Sequence, residues 1–128
     1  LFEFETIYGS AIQANGLDFI FLVTPETSEE RLKKLDSLSS GFLYAVSSSA
    51  TTGQDKDFSK VAMYLKRLKA FGLKNPFLVG FGIKDKESFN AVNEYANGAI
   101  IGSAYIKALS AGDHINTITK NFLSSILK

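Results

Sequence analysis

The chain has 128 residues, of which 45% are hydrophobic and 21% are charged, a composition typical of one small globular domain. Its 14 basic residues nearly balance 13 acidic ones, so the net charge of +1 does not favour nucleic acid or a membrane surface as partner. The absence of cysteine excludes disulfides and thiolate chemistry, and one histidine with scattered carboxylates offers no metal-ligand spacing. We expect no membrane span, no signal peptide and a cytoplasmic location.

Four apolar runs predict four buried strands. In chain order they are 17–23 (LDFIFLV), 41–47 (GFLYAVS), 76–81 (PFLVGF) and 98–102 (GAIIG). Each run is continuously apolar instead of alternating in polarity, which is typical of parallel strands buried on both faces. The runs therefore predict a parallel sheet covered by helices.

Helical patterns precede and separate these runs. The first is short, with Phe4, Tyr8 and Ala11 on its apolar face, and the later ones are expected to be capped by Thr27, Asp57, Asp85 and Asp113. The order is one helix followed by four strand–helix pairs, which predicts a single α/β domain over residues 1–128. The long polar loop 47–57 lies between the second strand and its helix, and loops of this length are often functional lids.

Glycines follow the last two predicted strands, in GFGI (80–83) and IGSA (101–104). Ligands of α/β proteins bind at the carboxyl ends of the strands, where glycine allows the backbone to approach them closely. Free amides at the start of a following helix also bind phosphate well. A tight-turn role stays open for each glycine taken alone. Neither GxxxxGK[ST] nor GxGxxG occurs, which excludes a Walker loop and a dinucleotide fingerprint.

Four longer segments together resemble the tryptophan synthase α subunit family. They are 16–35 (GLDFIFLVTPETSEERLKKL), 41–53 (GFLYAVSSSATTG), 75–89 (NPFLVGFGIKDKESF) and 98–107 (GAIIGSAYIK). The resemblance implies the C-terminal half of a (β/α)₈ TIM barrel, from its fourth helix through strands five to eight. It also implies a lyase that cleaves indole-3-glycerol phosphate to indole and glyceraldehyde 3-phosphate by a retro-aldol reaction. Such an α subunit needs no cofactor, and pyridoxal phosphate belongs to the β subunit, its expected partner in an α2β2 tetramer.

Seven residues take a role from the resemblance, by their position in the motifs. The substrate phosphate would be held by Gly53, Gly82, Gly102 and Ser103. The indole pocket would be lined by Tyr44 and Phe81, and Thr52 would help position the catalytic aspartate when the loop closes. The chain departs from the family at Ser48, where the loop commonly carries an arginine, so its closing contacts are expected to differ.

The catalytic carboxylates of the family, a glutamate and an aspartate, lie on and after its second strand, upstream of this chain. Asp18 and Glu26 are near strand ends here, but their motif context differs, so no catalytic residue is assigned. A positioned acid–base pair contributes about 10²–10⁴-fold to the rate, so we expect the fragment alone to be inactive.

The open edges of four parallel strands suit a piece of a longer protein, a barrel-like dimer or an open sheet. We favour a fragment of the full enzyme. Two alternatives stay open: a stand-alone phosphate-binding or assembly half-barrel without catalysis, and another phosphate-binding TIM-barrel enzyme.

Overall fold

A computed structural model describes residues 1–47, 58–112 and 114–128. A π-helical segment, Phe4–Tyr8, continues into α1 (Gly9–Ala14). The four strands are β1 (Phe21–Val23), β2 (Leu43–Ala45), β3 (Phe77–Val79) and β4 (Gly98–Ala99). The remaining helices are α2 (Glu29–Leu38), α3 (Phe58–Phe71), α4 (Lys86–Asn93), α5 (Ser103–Leu109) and α6 (Ile115–Leu127).

The strands form one sheet in the order β1-β2-β3-β4, and every neighbouring pair is parallel. Phe21 is paired with Leu43, and Leu43 with Phe77, so the strands follow one another without a shift in register. The predicted alternation of parallel strands and helices is confirmed. The strands are shorter than the apolar runs, because the ends of each run belong to the loops that enter and leave the sheet.

The two faces of the sheet differ in burial. On one face, Val23, Leu43, Ala45 and Val79 are completely buried in a core that also contains apolar side chains of α2, α3 and α4. The opposite face carries Leu22, Tyr44, Leu78 and Gly98, which are paired in one row across the sheet. None of this row is buried, and Leu22 is 60% exposed. We call this row the open face. The prediction of strands buried on both faces is therefore met on one face only, since the core helices pack on one side.

The helix starts differ in part from those expected. Asp85 caps α4 as predicted and forms a reciprocal capping box with Ser88. The cap of α2 is Ser28, whose hydroxyl accepts from the Arg31 amide, whereas the Thr27 hydroxyl accepts from the Thr24 amide at 2.9 Å. Thr27 therefore closes the preceding turn instead of capping the helix. Asp57 and Asp113 lie outside the described residues.

Helix α5 was not expected as a separate element. It follows β4 directly, and α6 then begins at Ile115. The two helices are braced by a hydrogen bond of 2.7 Å between the Tyr105 and Thr119 hydroxyls. The Tyr105 ring also contacts Phe122, with 5.3 Å between the ring centroids.

A buried carboxylate fixes the approach to β3. Asp36, near the end of α2, accepts hydrogen bonds from the backbone amides of Lys74 and Asn75 at 2.7 and 3.0 Å. The Asn75 side-chain amide donates both to this carboxylate and to the Asp36 carbonyl. A buried carboxylate is stable only when its oxygens accept such bonds, and here they tie the end of α2 to the turn before β3.

Replacement of Asp36 by Asn should destabilise the chain, because one amide donor would then face backbone N–H groups. We expect the free energy of unfolding in urea to fall by about 1–3 kcal/mol. Asp18→Asn, at an exposed site, is the matched control and should change it by less than about 0.5 kcal/mol. Equal effects of the two substitutions would contradict a stabilising role for the buried carboxylate.

Candidate functional site

The candidate site lies at the carboxyl edge of the sheet, where β3 and β4 end side by side. Val79 is paired with Ala99, and the Ile100 amide donates to the Val79 carbonyl at 2.7 Å. Gly82 and Gly102 each follow this pair by three residues. Neighbouring strands are about 4.8 Å apart. The register therefore brings the two glycine turns out of the sheet at the same level on adjacent strands.

The two glycines are needed for different reasons. Gly82 has φ +64°, a conformation that other residues rarely adopt, so its turn favours glycine on conformational grounds. Gly102 has φ −105° and caps α5 without a side-chain hydrogen bond. A Cβ at either position would meet nothing within 4 Å. The tight-turn explanation thus covers Gly82 but not Gly102, and both backbones are open to solvent.

Ser103 is the first residue of α5 and is exposed. Its hydroxyl and the amides of the first turn of α5 are donors beside Gly102, because the first amides of a helix have no partner within it. The carboxyl edge therefore offers backbone and hydroxyl donors without a charged side chain among Gly82, Gly102 and Ser103.

Tyr44 extends along the open face from β2 toward the end of β3. A Cβ built on Gly80 would lie 2.3 Å from both Cζ and Oη of Tyr44. Such a distance is far below van der Waals contact, so the phenol ring occupies the space that a side chain at position 80 would need. Gly80 was visible in the GFGI motif, but only the structure shows that its role is to make room for Tyr44.

Phe81 and Tyr44, both predicted for the indole pocket, have different surroundings. Phe81 is half-buried and packs against the core that the helices form, whereas Tyr44 belongs to the open face. Thr52 and Gly53, the predicted loop residues, lie outside the described residues, as does Ser48. The structure thus brings Gly82, Gly102 and Ser103 to one edge, with Tyr44 reaching toward it.

Two residues of α3 hold the turn that follows β1. The buried Tyr64 hydroxyl donates to the Val23 carbonyl at 2.9 Å. Arg67, with its guanidinium carbon 5.9 Å from the centre of the Tyr64 ring, donates to the Pro25 and Thr27 carbonyls at 3.1 and 3.2 Å. Burial raises the pKa of Tyr64 well above its ordinary value, and the Arg67 charge opposes this only in part.

Sequence reasoning missed both residues, since the apolar stripe of α3 marks only its core positions. A tyrosine followed three residues later by an arginine, which places both on one side of a helix, was the available signal. The described residues contain no group of three or more His, Cys, Asp or Glu side chains able to hold a metal ion. None of the described helices is long and apolar enough to cross a membrane.

A parallel sheet in sequential strand order, with core helices on one face and glycine turns at its carboxyl edge, has the architecture of one side of a (β/α)₈ barrel. Residues 3–126 match the family model of the tryptophan synthase alpha chain. The chain belongs to the tryptophan synthase alpha chain family, as the resemblance of its motifs indicated.

Relatives with this description support the assignment. The chain is 45% identical over 122 residues to the tryptophan synthase alpha chain of Flavobacterium psychrophilum, covering 94% of this chain and 45% of that protein. The alpha chain of Christiangramia forsetii is 48% identical over 122 residues, with the same coverage. The chain thus spans about half the length of the curated relatives that it matches.

Solved structures give the same result for the fold. The tryptophan synthase α subunit of Pyrococcus furiosus superimposes with a TM-score of 0.79 at 30% identity, over 98% of this chain and 51% of that one. A structure of the tryptophan synthase α2β2 complex from the same organism also gives 0.79 at 30% identity, over 95% and 50%. The predicted fold class, half of a TIM barrel, is confirmed.

The contact between Tyr44 and Gly80 predicts an energetic coupling. Gly80→Ala would force a methyl group into the phenol ring, at a cost of about 1–3 kcal/mol in the free energy of unfolding. In a Tyr44→Ala background the same change should cost at least about 1 kcal/mol less. Both values can be measured by urea unfolding.

Gly102→Ala is the matched control for this cycle. Its backbone has a negative φ and an added methyl meets nothing within 4 Å, so the cost of this substitution should be the same, within about 0.5 kcal/mol, with and without the Tyr44 ring. If the cost of Gly80→Ala is the same with and without the Tyr44 ring, the contact does not constrain position 80.

Tyr64 should make stability depend on alkaline pH. Because its pKa is raised above the ordinary value of 10.0, the folded chain keeps a proton that the unfolded chain loses. The free energy of unfolding should therefore fall above about pH 10, by up to about 1.4 kcal/mol per pH unit from this group. Tyr64→Phe has no phenol that can lose a proton. The difference in the free energy of unfolding between the native chain and this variant should therefore narrow between about pH 9 and 11.

Urea unfolding at the two pH values measures this difference. Tyr8→Phe, a loss of a phenol at an exposed position, is the matched control. If the difference in the free energy of unfolding between the native chain and Tyr64→Phe stays constant with pH, the fold does not keep the phenol protonated.

Proposed function

We propose that this chain is the phosphate-holding half of a tryptophan synthase α chain, a lyase that cleaves indole-3-glycerol phosphate to indole and glyceraldehyde 3-phosphate. The observation that carries the proposal is the register of β3 and β4, which brings Gly82 and Gly102 to one edge at the same level. Family membership supports the reaction, because the curated relatives are tryptophan synthase alpha chains.

The phosphate would be bound by main-chain and hydroxyl donors at this edge. The amides around Gly82 and Gly102 and the Ser103 hydroxyl would donate to its oxygens, and the start of α5 would add a favourable dipole. Gly53 would complete the set from the loop after β2. These hydrogen bonds to the phosphate are remote from the bond that breaks, so they would contribute by orienting the substrate.

The indole moiety would lie along the open face. The Tyr44 ring, held over Gly80, would contact it there, with Phe81 bounding the pocket at the end of β3 and Thr52 positioning the catalytic aspartate. The acid–base carboxylates would come from the N-terminal half of the barrel. This chain alone would then bind the phosphate weakly and not turn over the substrate.

The cofactor, the location and the partner would be those of the family. The α chain would need no cofactor of its own, would work in the cytoplasm, and would pass indole to a pyridoxal-phosphate-dependent β subunit. The similarity to the α subunit in an α2β2 complex supports that partner.

Phosphate binding can be tested by amide NMR of the 128-residue chain during titration with glyceraldehyde 3-phosphate. We expect the resonances of Gly82, Gly102 and Ser103 to shift. Ser103→Asp should weaken binding by at least about tenfold, since it places a negative charge against the phosphate. Ser110→Asp, the same change just after the other end of α5, is the control. Equal losses in the two variants, or no shifts at the three residues, would refute the assigned site.

Catalysis can be tested by indole release from indole-3-glycerol phosphate. The chain alone should release none, and addition of the N-terminal half of the Flavobacterium psychrophilum α chain should restore release. The Ser103→Asp variant should lower this restored activity mainly through KM. Turnover by the chain alone would show that its own residues supply the acid and base. A complex of the two halves that binds the phosphate but stays inactive would favour a binding module without catalysis.

A further inference from the structure

The open face of the sheet is the one that faces the interior of a (β/α)₈ barrel. The helices that bury Val23, Leu43 and Val79 pack on the opposite face, and the helices of such a barrel form its outer ring. Side chains fill the barrel interior in layers, and the active site lies above them at the carboxyl ends of the strands. The inward side chains nearest to the carboxyl edge therefore determine how far a ligand can enter.

Tyr44 and Leu78 both lie over a glycine of the next strand, on the side toward β4. A Cβ built on Gly80 would lie 2.3 Å from the Tyr44 phenol, and a Cβ built on Gly98 would lie 3.0 Å from Cδ2 of Leu78. The second distance is also shorter than an ordinary carbon–carbon contact. The tip of Leu78 therefore lies directly over the backbone of Gly98, which has no side chain of its own.

Leu78 is the next inward residue of β3 below the Tyr44 ring. It precedes Gly80 by two residues, so the two positions are on the same face and about 7 Å apart along the strand. The Tyr44 ring occupies the space above Gly80, and Leu78 is half-buried on the side toward the amino end. From the carboxyl edge inward, the order is thus the glycine turns, the Tyr44 ring and then Leu78.

We propose that Leu78 is a specificity-determining residue, which forms the bottom of the indole subsite and limits the size of the ring system that the subsite accepts. This inference rests on the proposed function, because it adds a residue to the site assigned there to the indole moiety. A ring system that contacts Tyr44 and extends further along β3 would next meet the methyl groups of Leu78. These groups form no hydrogen bonds, so they select by shape.

Gly98 sets the height of the Leu78 side chain above the sheet. A methyl group at position 98 would require the leucine tip to move by a few tenths of an ångström. The backbone of β4 blocks movement away from the interior, so the tip would move into the subsite. Glycine at position 98 thus gives the subsite its full depth.

Titration of the 128-residue chain with indole, followed by NMR of methyl and aromatic groups, is the direct test. We expect the resonances of the Leu78 methyl groups and the Tyr44 ring to shift together. Shifts at Tyr44 without shifts at Leu78 would overturn this inference and leave the proposed function intact. Shifts at neither residue would refute the assigned place of the indole moiety, and this inference with it.

Indoles with one methyl group at each position of the benzene ring measure the selectivity. A hydrophobic pocket discriminates by about tenfold or more for one such group, so at least one methylindole should bind the native chain more weakly than indole. Leu78→Ala should lower the ratio of the two dissociation constants by at least about fivefold, because it makes room for the methyl group. Gly98→Ala should raise this ratio, but not in a chain that also carries Leu78→Ala.

Leu73→Ala is the matched control. Leu73 is also a half-buried leucine, but it packs against the core on the helix side, just before β3. The ratio compares two ligands on one sample, so a smaller folded fraction cancels from it. If Leu73→Ala changes the ratio as much as Leu78→Ala does, or if the native chain binds indole and every methylindole equally, Leu78 does not limit the subsite.

Discussion

One-sided packing of the sheet is the constraint on which the rest of the structure depends. The side chains of α2, α3 and α4 bury Val23, Leu43, Ala45 and Val79 on one face, and this burial supplies most of the apolar driving force for folding. The opposite face is left with Leu22, Tyr44, Leu78 and Gly98 in one row. In the described residues, this second face of the sheet thus has no core helix packed on it.

The carboxyl edge gains its geometry from the same arrangement. Parallel pairing fixes the level at which Gly82 and Gly102 leave the sheet, and the core holds that pairing in place. The turn after β1 is fixed separately, by Tyr64 and Arg67 of α3. The turn after β1 is therefore held by a helix that lies outside the candidate site.

Much of the fold could be predicted from the sequence, because continuous apolar runs and helix caps are local signals. The four strands, the parallel order and the cap at Asp85 all follow from such signals. The uncovered face could not be predicted, since a continuously apolar run has the same appearance whether it is covered by helices or by another part of a barrel. Thr27 was misplaced because two adjacent hydroxyl residues compete for the cap, and only the turn geometry decides between them.

The site was predictable where a residue type is tied to backbone conformation. Gly82 has the positive φ that its motif suggests. Gly80 has a role that depends on a side chain from a different strand, and no local pattern can report such a contact. The same limit applies to Arg67, whose partners lie about forty residues earlier. Helix α5 was missed because its seven residues make fewer than two full turns, too short a segment to show a periodic pattern.

The brace between Tyr105 and Thr119 links the tail of the chain to the carboxyl edge. Helix α5 carries Ser103 at one end and is anchored through its middle to α6. The last helix thus contributes to the position of α5, the helix that begins at Ser103 beside Gly102. Substitutions at Thr119 or Phe122 would therefore change the packing of α5 against α6, although every residue at the carboxyl edge stayed the same.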